Sequence, residues 1–142
     1  MDTLITNVTA VTMTPGAEVL FGVNIGITDG KIEFISKKVP EELPQTIIEG
    51  TGMVAMPGLI NCHTHLATSV LRCFTDDLSN KEALEALLQK EARMDSRSAK
   101  AAATLSIAEC LRFGVTSVSD LYYYPDATAK AVAETGIKGN LA

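Results

Sequence analysis

The chain has 142 residues, 46% of them hydrophobic and 20% charged, with a net charge of -5 and an isoelectric point near 5.0. This is the balance of a soluble globular protein of one or two domains, and its few, scattered basic residues argue against a nucleic-acid or anionic-membrane surface. Three cysteines without tight spacing (Cys62, Cys73, Cys110) argue against a disulfide framework or a cysteine zinc site, and no leader or 18-residue apolar run is present, so a reducing cytoplasm is expected.

Residues 1–56 read as β-structure. Leu4 to Met13 is rich in Thr, Val and Ile and closes on Pro15-Gly16. In the next strand Val19, Phe21, Val23, Ile25 and Ile27 share one face, and Gly22, Asn24 and Gly26 the other. Asp29-Gly30 predicts a two-residue hairpin turn into a return strand, Lys31 to Ser36, with Ile32 and Phe34 on one face. Pro40 and Pro44 frame a loop, and Thr46 to Glu49 and Met53 to Ala55 are two short strands. The region is expected to be part of a small β-sandwich with no chemistry of its own.

At Pro57 the period changes. Pro57-Gly58 marks a sharp entry into a short buried strand at Leu59 and Ile60. Leu84, Leu87, Leu88 and Ala92 share one helical face, and Ala101, Leu105, Ala108 and Leu111 mark a second helix. Gly114 stands where a left-handed C-terminal residue is wanted, and Val115 to Tyr122 reads as a buried strand. The pattern repeats: a helix from Asp126 through Glu134, Gly136, then a strand from Ile137 to Leu141. Strands separated by helices imply parallel, right-handed crossovers.

Both histidines of the chain, His63 and His65, lie two residues apart where the strand after Pro57 opens into a loop. Residues i and i+2 of a strand point to one face, so His-Thr-His aims two imidazoles at one point in space, as a metal site requires. A polar pair at a strand end would read the same way from the bare spacing. The apolar strand before the pair and the loop after it favour the metal.

The stretch PGLINCHTHLATSVLR (57–72), with the DDL of Asp76, Asp77 and Leu78, resembles the amidohydrolase superfamily of metal-dependent hydrolases. Within it, the chain is similar to the branch of S-adenosylhomocysteine/methylthioadenosine deaminases, guanine deaminases and chlorotriazine hydrolases. The resemblance implies an α/β fold: residues 1–56 as the N-terminal part of a β-sandwich, and 57–142 as the first three βα units of a (β/α)8 TIM barrel. About 250 residues are typical of a full barrel, so the chain is expected to be an N-terminal piece. It also implies that His63 and His65 bind a divalent metal, zinc foremost and iron as the alternative. That ion would be completed by two further histidines and an aspartate, for which this chain has no histidine left.

The activity implied is hydrolytic deamination of a purine nucleoside-like or related heterocyclic substrate, with the ion lowering the pKa of its water to supply hydroxide and release ammonia. Release of chloride from a triazine and opening of a cyclic amide are alternatives from the same superfamily. A noncatalytic module that self-associates or pairs with a missing C-terminal part is the alternative from another class.

Glu91 matches a glutamate that holds ribose hydroxyls in the adenosine-derivative deaminases, although it could equally be a solvated helix carboxylate. Lys81 to Leu84 lacks the tryptophan common before that glutamate, and Leu71-Arg72-Cys73 replaces the common Leu-Arg-Gly. Asp76 and Asp77 are expected to be loop and cap residues. Asp120, at the end of the second barrel strand, stands where a functional position is plausible but is expected to make a structural hydrogen bond; Tyr122, Tyr123 and Tyr124 could line a pocket but are expected to cover the barrel rim.

Overall fold

A computed structural model describes residues 1–142 except Ala17 and Leu43. The chain forms two compact units, Met1–Pro57 and Gly58–Ala142.

The first unit is one five-stranded sheet. Its strands are β1 (Thr3–Val11), β2 (Val19–Thr28), β3 (Lys31–Ser36), β4 (Thr46–Glu49) and β5 (Val54–Ala55). The order is β3-β2-β1-β4, with β5 also on β1. β2 pairs antiparallel with both neighbours, whereas β4 and β5 run parallel to β1. Asp29 and Gly30 both have positive φ, 49° and 70°, the geometry of a type I′ hairpin turn. Val8, Ala10, Val23 and Ile25 form the core.

The expected two-faced alternation of β2 does not hold along its length. Val19 and Phe21 are exposed, while Asn24 and Gly26 are buried with Val23 and Ile25. A register shift between Leu20 and Val23, where β2 holds one residue more than β1, and the positive φ of Gly22 (61°) re-aim the strand before residue 23. Asn24 is satisfied inside: its Oδ1 accepts from Asn7 N (3.0 Å) and its Nδ2 donates to Lys38 O (3.1 Å). Gly26 is buried because the Phe34 ring lies across it; a Cβ there would meet the ring at 2.3 Å.

The second unit is built of β6 (Leu59–Thr64), a 3₁₀ segment (Leu66–Leu71), α1 (Asn80–Glu91), α2 (Ser96–Arg112), β7 (Val115–Asp120), α3 (Pro125–Thr135) and β8 (Lys138–Leu141). The sheet is parallel, in the order β6-β7-β8. Leu66, Ala103, Ile107, Val118, Ala131 and Ile137 form its core, where α2 and α3 cover β7. Asp95 caps α2, its side chain accepting from Ser98 N at 2.7 Å. Gly114 (φ 81°) follows α2 and Gly136 (φ 76°) caps α3, the left-handed positions expected of them.

Packing in this unit corrects three expectations. The buried face of α2 is Ala99, Ala102, Ala103 and Ile107, whereas Ala101, Leu105, Ala108 and Leu111 are all exposed. An alanine-rich helix offers two plausible apolar stripes, and the stripe that lets α2 approach α3 and β7 closely is the one buried. Helix α1 buries no residue at all; Leu84 and Leu88 are exposed, because no element covers that side of it among the described residues. Leu59 and Ile60 are 50% and 68% exposed, since among the described residues β6 pairs with β7 alone and lies outside the core cluster. The third helix begins with Pro125 at its first turn, one residue before the expected Asp126, a position that needs no backbone N–H.

Candidate metal centre

The end of β6 carries an irregularity that sets the histidines. Asn61 pairs with Val118 and Thr64 with Asp120, so β6 holds one residue more than β7 across this span. Such a bulge twists a strand and re-aims its side chains. His63 and His65 are both exposed, with ring centroids 5.0 Å apart in an edge-on arrangement. Their Nε2 atoms converge to 3.2 Å.

Each histidine is held from behind. His65 Nδ1 lies 2.7 Å from Leu121 O, and because a carbonyl can only accept, Nδ1 carries the proton and Nε2 presents its lone pair. The His65 carbonyl accepts from Thr68 N (2.9 Å) and Thr68 Oγ1 (2.7 Å). His63 N donates to Asn61 Oδ1 at 3.2 Å.

Asp120 locks the strand ends. It is 4% exposed, and its Oδ1 accepts from Thr64 Oγ1 (2.9 Å) and from the Leu66 amide (2.7 Å). Thr64 and Leu66 flank His65, so Asp120 determines where that residue sits. The Leu121 carbonyl and Asn61 were not singled out in the sequence; a carbonyl has no side-chain signature, and an isolated Asn before HxH has many uses.

The pair fits a shared ion. Two nitrogens each about 2.0–2.1 Å from one tetrahedral ion lie about 3.3–3.4 Å apart, close to the separation found. Among the described residues no cluster of three or more His, Cys, Asp or Glu side chains is placed to hold a metal.

A cleft of about 570 Å³ adjoins the pair, lined by His65, Thr68, Arg72, Leu87, Glu91 and Tyr122 among others. Glu91, the last residue of α1, therefore shares a cavity with one histidine of the pair. Arg72 is committed to a two-pronged ion pair with Glu109 (2.7 and 2.8 Å), which raises the guanidinium pKa and lowers that of the carboxylate. Tyr122 Oη is buried without a hydrogen-bond partner among the described residues. Burial first, and then the Glu91 carboxylate beside it, pushes the phenol well above its ordinary pKa, so it remains a donor. Tyr123 packs edge-on against Tyr122, and Tyr124 caps the Met94 carbonyl. Asp76 and Asp77 lie in the turn before α1; the N-terminus of that helix is organised by Ser79, whose N–H and O–H donate to Glu82.

The amidohydrolase family model matches residues 54–140. The chain is 38% identical over 141 residues to a 5'-deoxyadenosine deaminase of Methanosarcina mazei, covering 99% of the chain and 32% of that protein. It is 36% identical to a 5-methylthioadenosine/S-adenosylhomocysteine deaminase of Acetivibrio thermocellus, covering 99% and 34%. Among solved structures, an atrazine chlorohydrolase from Arthrobacter aurescens TC1 complexed with zinc superposes with a TM-score of 0.86 at 26% identity, over 99% of the chain and 35% of its own. An adenosine deaminase from Xanthomonas campestris with bound zinc gives 0.83 at 28%, over 97% and 33%.

The chain thus spans about a third of the length of the relatives it matches, and that third is the N-terminal part of their TIM-barrel fold. No helix among the described residues is long and apolar enough to cross a membrane. The family match over most of the second unit leads to one conclusion: the chain belongs to the amidohydrolase family.

Proposed function

We propose that His63 and His65 are metal ligands, that the ion is zinc, and that the full-length gene product is a hydrolytic deaminase of adenosine-like nucleosides. The observation that carries this reading is the 3.2 Å convergence of the two Nε2 atoms with the His65 tautomer fixed by Leu121 O. The zinc in two solved relatives and the deaminase names of the sequence relatives support it. A bound divalent ion supplies Lewis-acid activation of water. The residues of this chain bind and orient: the imidazoles hold the ion, and Glu91, across the cleft, accepts hydrogen bonds from the ribose hydroxyls. Asp120 keeps the strand end that carries the histidines in register. Two imidazoles are fewer than the three protein ligands of a catalytic zinc site, so the reading requires ligands from outside these residues.

Release of chloride from a triazine is a second reading, favoured by the structural likeness to the atrazine chlorohydrolase. Purified full-length product, assayed for ammonia with 5'-deoxyadenosine and methylthioadenosine and for chloride with a chlorotriazine, separates the two. Ammonia release dependent on stoichiometric zinc is the expected result. Chloride release alone would transfer the assignment to the second reading, and turnover of neither substrate class would leave the noncatalytic module.

A further inference from the structure

Glu91 ends α1, and nothing on its own helix holds it: α1 buries no residue. The turn after it is tied down. Met94 N donates to Glu91 O at 3.0 Å, closing that turn, and the Met94 side chain packs on Ala67, Ala99 and Ala127 together with Tyr122. The Met94 carbonyl accepts from Tyr124 Oη at 2.5 Å. Tyr124 does this from a left-handed conformation (φ 61°, ψ 51°), which a non-glycine residue adopts only when its surroundings impose it. Two residues earlier, Tyr122 lines two clefts in common with Glu91, and its hydroxyl is buried without a partner among the described residues.

We propose that Tyr122 and Tyr124, alternate residues of the β7–α3 loop, are positioning residues for Glu91. Tyr124 anchors the Glu91–Met94 turn through the Met94 carbonyl, and Tyr122 forms the wall of the two clefts that Glu91 also lines, its hydroxyl buried there. The loop leaves β7 directly after Asp120 and begins with Leu121, and these two residues hold the histidine end of β6. One loop therefore sets both walls of the cleft, so the distance between the histidine pair and the group on the far wall is determined by a single short segment. The substrate part of this inference rests on Glu91 binding a ribose.

The test uses the full-length gene product with Y124F, Y122F, E91Q and the double variant Y124F/E91Q. Each Tyr→Phe change should raise KM for nucleoside substrates about five- to tenfold, the scale of one hydrogen bond, and much more than it raises KM for bare-ring substrates. Y124F should add nothing on the E91Q background, because both act through one group. Equal effects of Y124F on both substrate types, or full additivity with E91Q, would overturn the proposal.

If E91Q itself fails to distinguish nucleosides from bare rings, the ribose reading fails by its own measurement. The positioning role is then decided by amide hydrogen exchange over residues 88–95. Exchange at least about tenfold faster in Y124F supports it, and unchanged exchange rejects it.

Discussion

At the residue scale, the proposed function rests on the few atoms around His65. Replacing His63 or His65 by Ala in the full-length product is expected to abolish tight zinc binding and turnover together, since the remaining ligands cannot close the coordination left by one imidazole. Metal content by mass spectrometry beside an ammonia assay checks this; normal zinc with full activity in either variant would contradict the assignment. For Glu91→Gln, KM should rise for nucleoside substrates much more than for bare rings, because only the former lose a charge-assisted hydrogen bond worth about 1.5–3 kcal/mol. Steady-state kinetics on the two substrate types decides between ribose contact and a solvated carboxylate. None of these three residues needed the structure to be noticed. What the HxH spacing could not contain is the Leu121 carbonyl that selects the His65 tautomer, because a backbone group 56 residues away leaves no mark on the sequence around it.

At the scale of elements, strand ends and helix caps carry the arrangement. Asp120→Ala would leave the buried Leu66 amide without its acceptor, while the Thr64 hydroxyl could still donate to Ser119 O, at a cost of about 1–3 kcal/mol. Asp120→Asn keeps an oxygen at the Oδ1 position and should lose clearly less. Urea unfolding of both variants measures the difference, and equal losses would mean that Asp120 acts through its charge alone. Helix α2 depends on Asp95, whose carboxyl lies below its ordinary pKa because it accepts from the Ser98 amide. A carboxyl lowered by folding stabilises above its unfolded pKa, about 3.9, and loses that contribution as pH falls through the lower folded value. Far-ultraviolet circular dichroism from pH 6 to pH 3 should show acid loss of helicity that is smaller in Asp95→Ala. The turns were legible in the sequence for the same local reason: Asp29-Gly30, Gly114 and Gly136 take the positive φ that their positions demand.

At the scale of the whole molecule, the second unit has a core under α2 and α3 but leaves β6 and β8 each paired on one side among the described residues. Leu59, Ile60 and Phe113, exposed at 50%, 68% and 74%, add apolar surface beside the β6 edge. Expressed as these 142 residues alone, the chain is expected to self-associate, bind zinc weakly and release no ammonia, which light scattering, zinc titration and the ammonia assay would measure. A monomer with tight stoichiometric zinc and turnover would refute this. The sequence by itself determined the order of strands and helices, the change of period at Pro57 and the histidine pair, because alternation, helical spacing, turn glycines and the HxH motif are local properties of the chain. Only the tertiary structure decided which stripe of α2 is buried, that β6 and α1 stay exposed, and that Asp120, Leu121 and the tyrosines after them brace His65 and face Glu91. Those outcomes depend on which surfaces meet across tens of residues, and an alanine-rich helix or a run of three tyrosines is compatible with several such meetings until packing selects one.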